Sequence, residues 1–492
     1  MLFLALAVRA FGQDPVAIEY SASLDAGRLA RHIATIASDS LKGRLIGEEG
    51  HQKAAEYIKD QFKRNGLSDP AQDYMQSFRI VKSYWNDIYM KYGGREFRNL
   101  QDGIIYLGSK NIPAETSFTM NFMGNAIEQD MVGSQSMIYF NTPYWISLRR
   151  EYSENLNNSF SVIIDNTHTR NFDSVACLLN KPFETAEYFF PENGKAPDED
   201  CASAFIVSER VASSVFNMKV GKIRRIGSYS GRGIKKVRGF APVELTVKAE
   251  RRYDTLEISN ILGFIEGGDK KDEAVVLSAH YDHLGVKDNK VFPGADDNAS
   301  GVAALLEIAR IFQQAKNEGY GPRRSLLFIA FTGEEKGLFG SDHYVRNPAV
   351  PLKNTIANLN IDMIGRVDAA NADNPDYVYL IGSDKLSADL HKLSEEVNEK
   401  YSGLRLDYAY NSDDDPNRFY YRSDHYHFAR HNIPVIFYFN GVHEDYHQPS
   451  DTVDKIDFSA LEKRARLIFF TAWELANADQ KPAVNGVGHT GN

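Results

Sequence analysis

Cysteine is almost absent from this chain of 492 residues, which contains only Cys177 and Cys201. Two cysteines allow one disulfide in an oxidising compartment, or two free thiols, and they exclude a small scaffold held together by disulfides. Neither cysteine has the spacing of a metal site, so we assign no catalytic role to either of them.

Long apolar runs and basic stripes are also missing. No apolar run approaches the roughly 18 residues that a membrane-spanning helix needs, so we expect no membrane span. The formal net charge is -10, and no basic stripe with interleaved aromatic residues occurs, so nucleic acid is not an expected partner. The remaining composition, 43% hydrophobic and 25% charged, is that of an ordinary globular protein.

The first twelve residues combine an apolar segment at positions 2–8 with a small-residue exit at Gly12. This pattern resembles a secretory signal peptide, although the charged region that normally precedes the apolar core is missing. We therefore expect residues 1–12 to be a signal peptide and the mature protein to be exported to the periplasm or the extracellular space. A start further upstream, or a buried N-terminal segment, is the alternative.

Three changes of character along the chain predict its organisation. Residues 28–66 show two helical periodicities separated by a glycine-containing loop. Residues 81–250 contain short β-rich runs interrupted by Asn, Asp, Gly and Pro, which predicts an inserted β-rich domain. From 251 to 480, strands alternate with helices, and this alternation indicates an α/β fold with a largely parallel sheet. We assign residues 13–80 and 251–480 to one catalytic domain and expect a disordered tail at 481–492.

Five segments in the α/β region place metal-type ligands just after apolar, strand-like runs or in a loop that leads into a helix. The carboxyl ends of parallel strands share one edge of a sheet, so these side chains can meet there. A set of imidazoles and carboxylates without cysteine suits a catalytic zinc site, which keeps one coordination position for water. The candidate ligands and their neighbours are His280, Asp282, Asp297, Glu334, Glu335, Asp362 and His447.

The same segments resemble the co-catalytic zinc aminopeptidases of peptidase family M28. They are HYD at 280–282, GADDNASG at 294–301, TGEEKGLFGS at 332–341, NIDMIG at 360–365 and YHQPSDT at 446–452. The resemblance covers residues 255–455 in order and implies a three-layer α/β/α fold with a mostly parallel, mixed central sheet. The insert is weakly similar to a protease-associated domain, chiefly at positions 202–216.

The resemblance implies two zinc ions per chain and a role for each residue of the site. His280 and Asp362 would complete one zinc site, Glu335 and His447 would complete the other, and Asp297 rather than Asp296 would bridge the two. Asp282 would orient the His280 imidazole. Glu334 would be the general base towards the water that the two zinc ions activate, and Tyr446 would stabilise the oxyanion.

The function implied by this set is a zinc-dependent exopeptidase that hydrolyses N-terminal residues from peptides. A glutaminyl cyclase-like enzyme, a carboxypeptidase on the same fold, and a receptor-like ectodomain without enzymatic activity are the alternatives. Nearby side chains with an expected role in lining the pocket or supporting the ligands are His283, Asp424, His425 and His443. The acidic run at 413–415 lacks the pattern of a calcium loop and is interpreted as a solvated loop.

Overall fold

The structure is a computed structural model that describes residues 12–107, 110–124, 137–140, 160–165, 186–193, 203–227 and 241–485. Residues 1–11 of the predicted signal peptide, both cysteines, and residues 486–492 of the predicted tail therefore lie outside the described residues. Residues 481–485 have no regular structure, but the backbone N–H of Ala483 donates to Asp389 and that of Asn485 donates to the carbonyl of Leu386.

Helices and strands alternate in the second half of the described chain. The helices are α1 (Pro15–Ser21), α2 (Ala26–Ile36), α3 (Glu49–Arg64), α4 (Glu209–Val215), α5 (Val220–Gly227), α6 (Gly301–Asn317), α7 (Phe339–Arg346), α8 (Ala388–Val397), α9 (His425–Ala429) and α10 (Phe458–Asn477). The strands are β1 (Met75–Tyr92), β2 (Arg95–Arg98), β3 (Ile104–Leu107), β4 (Ile112–Gly124), β5 (Met137–Phe140), β6 (Phe160–Asp165), β7 (Glu187–Phe189), β8 (Ser203–Ser208), β9 (Val243–Ile265), β10 (Lys270–His280), β11 (Gly285–Lys287), β12 (Lys290–Phe292), β13 (Arg324–Phe331), β14 (Thr355–Ile361), β15 (Tyr377–Ile381), β16 (Arg405–Asp407) and β17 (Val435–Phe439).

The chain divides into two compact units, of which the first contains residues 1–78 and 257–492 and the second contains residues 79–256. The sheet of the first unit has the order β16-β15-β17-β14-β10-β13 and ends with the C-terminal part of β9. Strands β13, β10, β14 and β17 are parallel neighbours, whereas β15 pairs antiparallel with β17 and β9 pairs antiparallel with β13. The predicted α/β fold with a mixed sheet is confirmed.

Alternating side chains of the central strands pack on the two faces of this sheet. In β13, Leu326, Phe328 and Ala330 join the core that also contains apolar residues of α2, α3, α6 and α10. Leu327, Ile329 and Phe331 join a second core on the opposite face, with residues of α7 and α9. Successive side chains of a strand point to opposite faces, so a strand that is apolar throughout requires a helical layer on each side.

The predicted helices of this unit are present. The periodicity at 28–66 corresponds to α2 and α3, and the Asp457 carboxylate caps α10 by accepting from the backbone N–H of Ala460. The glycine-containing loop between α2 and α3 forms a short 3₁₀ helix at Asp39–Arg44. None of the helices in the described residues combines the length and the apolar character that crossing a bilayer requires.

The second unit contains the segments that the sequence predicts as β-rich. Its described strands β4, β5, β6 and β8 are successive parallel neighbours, β3 pairs antiparallel with β8, and residues 243–249 of β9 pair antiparallel with β4. Helices α4 and α5 follow β8, and the apolar residues of α4 join the core of this unit. The resemblance to a protease-associated domain stays a prediction.

Candidate metal centre

The predicted ligands lie at the carboxyl edge of the central sheet. His280 is the last residue of β10, and Asp362 directly follows β14. Glu334 and Glu335 follow β13, which ends at Phe331. Because β10 pairs in parallel with both β13 and β14, the three strand ends bring these side chains to one place.

His280, Asp297 and Asp362 form the first group. The His280 Nε2 atom lies 3.3 Å from Asp297 Oδ1 and 3.3 Å from Asp362 Oδ1. All three side chains are buried, and one ligand atom from each lies within 4.8 Å of the others. The second carboxylate oxygen of Asp362 accepts a 2.6 Å hydrogen bond from the Ser423 hydroxyl, which holds its orientation.

A second group forms on the other side of Asp297. The His447 Nε2 atom lies 3.1 Å from Asp297 Oδ2 and 3.4 Å from Glu335 Oε2. His283 also belongs to this group, because its Nδ1 atom lies 2.7 Å from Glu335 Oε1 and 3.8 Å from Asp297 Oδ2. The sequence places His283 only near the pocket, whereas the structure brings it into contact with a candidate ligand.

Asp297 is the residue that the two groups share. Its Oδ1 atom faces His280 and its Oδ2 atom faces His447, as a bridging carboxylate requires. The neighbouring Asp296 faces away from both groups. It accepts hydrogen bonds from the backbone N–H of Gly365 at 2.6 Å and pairs with His443 Nε2 at 3.2 Å.

The adjacent Glu334 and Glu335 diverge. Glu335 points towards His283 and His447, and its side chain is 5% exposed. Glu334 lines the cleft on the side of the first group, with Oε2 4.0 Å from His280 Nε2 and 12% of its side chain exposed. A carboxylate in this position can receive a proton from a water molecule in the cleft.

The contact between Asp282 and His280 differs in detail from the expectation. The His280 Nδ1 atom lies 3.2 Å from the backbone carbonyl of Asp282 and 3.9 Å from its carboxylate. The Asp282 carboxylate instead accepts a 3.2 Å hydrogen bond from the backbone N–H of Glu334. Asp282 therefore contacts both the imidazole and the loop of the predicted base.

An open cleft lies beside the first group. Its lining residues are His280, Asp297, Glu334, Asp362, Met363, Phe419, Arg422, Phe437, Phe439, Tyr446 and His447. The Tyr446 ring stacks on His447 with centroids 3.9 Å apart. The lining thus combines carboxylates and imidazoles with an aromatic surface and one tyrosine hydroxyl.

Burial and mutual charge shift the pKa values of these groups in opposite directions. Burial, followed by the carboxylates of Asp362 and Glu335, raises the pKa of Glu334 well above its usual value, against the effect of His280. Burial alone would lower the pKa of both His280 and His447, but the facing carboxylates have the larger combined effect. The pKa of His280 is raised well above normal, and the pKa of His447 is raised to about 10. The facing carboxylates therefore favour the protonated form of both imidazoles.

The loop of Asp297 is held by residues whose role the sequence did not reveal. The Asp451 carboxylate accepts hydrogen bonds of 3.1 Å from the backbone N–H groups of Asp296 and Asp297. The buried Asn298 side chain donates to the carbonyl of Ile361 at 2.9 Å and accepts from the backbone N–H of Met363 at 3.2 Å. Asn298 thereby ties the Asp297 loop to the strand end that carries Asp362.

Gly294 makes the start of this loop possible. Its φ is 56°, in the left-handed region that favours glycine. A Cβ atom at this position would lie 2.0 Å from the carbonyl oxygen of Asp297 and 2.6 Å from the His283 ring. A side chain at 294 would therefore displace the loop or the imidazole that contacts Glu335.

Arg44 is fully buried beneath the loops of both groups. Its guanidinium donates to the carbonyls of Tyr281 at 2.8 Å, Pro293 at 2.6 Å and Gly294 at 3.1 Å, and also to Ile36 at 2.8 Å. Burial lowers the pKa of Arg44 to about 10, against the nearby carboxylates that raise it. A charged side chain is rarely buried without partners, so the sequence alone gave no reason to select Arg44.

Replacing Arg44 by Met is expected to destabilise the protein by about 3 kcal/mol or more, because several buried carbonyls would lose their donor. Thermal unfolding of the zinc-free protein measures this change. Lys42→Met is the matched control, because the Lys42 side chain is 60% exposed and pairs only with Glu49 among the described residues. Equal unfolding midpoints for the two variants would contradict a supporting role for Arg44.

The sequence also predicts a role in or near the pocket for His443, Asp424 and His425. His443 contacts Asp296, as described above. Asp424 and His425 are fully buried, and His425 packs against Phe437 with centroids 4.9 Å apart. Burial raises the pKa of Asp424 to about 7.

In the acidic run at 413–415, Asp415 accepts hydrogen bonds from the backbone N–H groups of Asn417 and Phe419, which accounts for its orientation.

Comparisons with known proteins find similarity in sequence and in fold. The sequence model of peptidase family M28 matches residues 260–472. Aminopeptidase YwaD of Bacillus subtilis (strain 168) is 28% identical over 261 residues, which are 51% of this chain and 52% of that protein. The chain therefore spans about half the length of this curated relative.

Two solved structures share the fold. The aminopeptidase from Aneurinibacillus sp. strain AM-1 is 19% identical, covers 96% of this chain and 98% of its own, and has a TM-score of 0.54. The zinc aminopeptidase BSAP from Bacillus subtilis is 18% identical, covers 93% of this chain and 96% of its own, and has a TM-score of 0.51. At these identities the two structures support the fold.

Proposed function

We propose that the protein is a zinc-dependent exopeptidase that removes N-terminal residues from peptides, because residues 260–472 match the sequence model of peptidase family M28. The observation that carries this proposal is the pair of ligand groups joined by Asp297, beside a cleft that also contains Glu334 and Tyr446. The catalytic residues, the number of zinc ions and the substrate class are all parts of the proposal.

The donor set suits zinc. Imidazole nitrogen and carboxylate oxygen are ligands that zinc prefers in catalytic sites, and each group supplies at least one of each kind. His280 and Asp362 would hold one ion, Glu335 and His447 the other, and Asp297 both. Bound there, two zinc ions would act as Lewis acids and lower the pKa of the attacking water.

The protein groups supply the remaining chemistry of peptide hydrolysis. The pKa of Glu334, which is raised in the zinc-free protein, would fall beside two bound cations, and Glu334 could then take a proton from the attacking water and transfer it to the leaving amine. Burial, and then the carboxylates of Asp297, Glu335 and Glu334, raise the pKa of the Tyr446 hydroxyl, so it keeps its proton and can donate a hydrogen bond to the oxyanion. Asp282 supports this arrangement through its contacts with His280 and with the backbone of Glu334.

Selectivity for a free N-terminus would come from the charge of the cleft. Asp297, Glu334 and Asp362 line it, and these carboxylates attract the α-amine of a peptide. An acylated terminus lacks this positive charge and would not be held. The apolar lining of Met363, Phe437 and Phe439 then offers a surface for the first side chain.

Metal removal and restoration test the proposed function. The zinc-loaded protein is expected to release the first residue of an unblocked tripeptide, to lose this activity after dialysis against a chelator, and to regain it when zinc is added back. Mass spectrometry of the products identifies the released residue. Activity that survives complete zinc removal, or cleavage within the peptide only, would contradict the proposal.

Zinc binding at pH 7 is expected to release about one proton or more per protein chain. His447, whose pKa is raised to about 10, and His280, whose pKa is raised well above normal, are protonated in the zinc-free protein, but a histidine ligand must be deprotonated. Lower pH stabilises the protonated state further, so zinc affinity should fall as the pH is lowered.

Calorimetry in two buffers of different ionisation enthalpy measures the released protons. The His447→Ala variant serves as the comparison and should release about one proton fewer. A binding enthalpy that is the same in both buffers would contradict the predicted protonation of these histidines.

A further inference from the structure

Of the described residues that line the cleft, Arg422 is the only arginine or lysine. Its side chain is exposed, and its Cζ atom lies 4.9 Å from the centre of the Phe419 ring, so the guanidinium rests on an aromatic surface. One guanidinium nitrogen lies 3.4 Å from the Tyr446 hydroxyl, and another lies 3.5 Å from the carbonyl of Asn417. Both contacts are long for hydrogen bonds.

No carboxylate of the described residues lies within ion-pair distance of this guanidinium. Other arginines near the site have such partners; Arg366, for example, lies 2.9 Å from the Asp445 carboxylate. A guanidinium has five N–H donors arranged in a plane that fits the two oxygens of a carboxylate. Arg422 therefore keeps donors available towards the cleft.

We propose that Arg422 binds a carboxylate of the substrate one residue beyond the scissile bond, and that the enzyme therefore prefers dipeptides with a free C-terminus or peptides with an acidic second residue. This inference rests on the proposed function. Tyr446 would contact the carbonyl under attack, and an Arg422 guanidinium nitrogen lies 3.4 Å from the Tyr446 hydroxyl. Consecutive Cα atoms are about 3.8 Å apart, so a carboxylate on the second residue is within reach of the guanidinium.

The charge distribution of the cleft agrees with this orientation. The carboxylates of Asp297, Glu334 and Asp362 all lie within 4.0 Å of His280 Nε2, where they attract the α-amine, and Arg422 supplies positive charge next to Tyr446. A dipeptide carries its two charges in the same order, amine first and carboxylate one residue later. The cleft and a dipeptide are thus complementary in charge.

Matched acid and amide substrates test the proposal. The ratio of kcat/KM for leucyl-leucine to that for leucyl-leucine amide is expected to be about tenfold or more, as for one charge-assisted hydrogen bond. The pair leucyl-glutamate amide and leucyl-glutamine amide measures the same preference for a side-chain carboxylate. A preference in the first pair alone assigns Arg422 to C-terminal carboxylates, and one in the second pair alone assigns it to acidic side chains.

The Arg422→Gln variant should bring the acid-to-amide ratio close to one, and Arg422→Lys should restore part of it. Equal kcat/KM within both pairs for the native protein would overturn the proposal, as would a variant that slows acid and amide equally and keeps their ratio. Absence of release from every substrate would instead contradict the proposed function. Binding of the same acid and amide to Glu334→Gln, measured by calorimetry, then decides the role of Arg422 separately.

Discussion

Replacement of Glu334 by Gln is expected to leave the zinc content unchanged and to lower kcat by about 10² to 10⁴, the usual contribution of a general base. The reason is the position of Glu334, which lines the cleft 4.0 Å from His280 Nε2, whereas its neighbour Glu335 points to the second group. An amide keeps the size of the side chain but cannot accept the proton of the attacking water.

Glu335→Gln is the matched control for this variant, since it removes a charge at the adjacent position. It should lower the zinc content as well as activity, because Glu335 is a predicted ligand. Elemental analysis of zinc, combined with initial rates on one unblocked peptide, separates the two effects. Near-normal turnover by Glu334→Gln would show that Glu334 is not the base.

Replacement of Asp297 by Asn is expected to remove most of both zinc ions. Asp297 faces His280 with one oxygen and His447 with the other, so a single substitution disturbs both groups. An amide carries no charge and offers one oxygen, so it cannot bridge two cations as a carboxylate does. Activity should fall below detection, because both proposed sites are lost together.

His447→Ala distinguishes a bridging residue from a ligand of one site. This variant should lose about one zinc ion per chain and retain the other, since the contact of His447 with the first group is limited to the shared Asp297 among the described residues. The zinc content of dialysed protein is the measurement, with the exposed Asp413→Asn as a control for surface charge. Two retained zinc ions in Asp297→Asn would exclude the bridging role.

The strand ends explain why most of the candidate site could be predicted from sequence. Continuous apolar runs such as 326–331 identify strands buried on both faces, and a parallel sheet brings their carboxyl ends to one edge. His280, Glu334, Glu335 and Asp362 all follow such runs. Their order along the chain then resembles the family closely enough to suggest a role for each.

His283 illustrates what this reasoning could not reach. Alternation along an extended strand would direct residues 280 and 283 to opposite faces. The strand ends at His280, however, and the backbone N–H of His283 donates to the carbonyl of Arg44, so the alternation no longer holds. The imidazole turns back towards Glu335 as a result.

Arg44 and Asp451 were missed for a related reason. Both act on the backbone of the Asp297 loop, and backbone hydrogen bonds leave no pattern of side-chain types in a single sequence. Arg44 is separated from Gly294 by 250 residues and binds its carbonyl, which is a contact that only the folded chain reveals. The glycine-containing loop that the sequence predicts between the first two helical periodicities contains this buried arginine.

The measurement that tests the central claim most directly compares one peptide with a free N-terminus and the same peptide with an acetylated N-terminus. Zinc-loaded protein is incubated with each, Glu334→Gln serves as the blank, and released residues are followed over time by mass spectrometry. We predict release of the first residue from the free peptide and none from the acetylated one. Equal release from the acetylated peptide, or release from the C-terminus, would contradict an exopeptidase that acts at free N-termini.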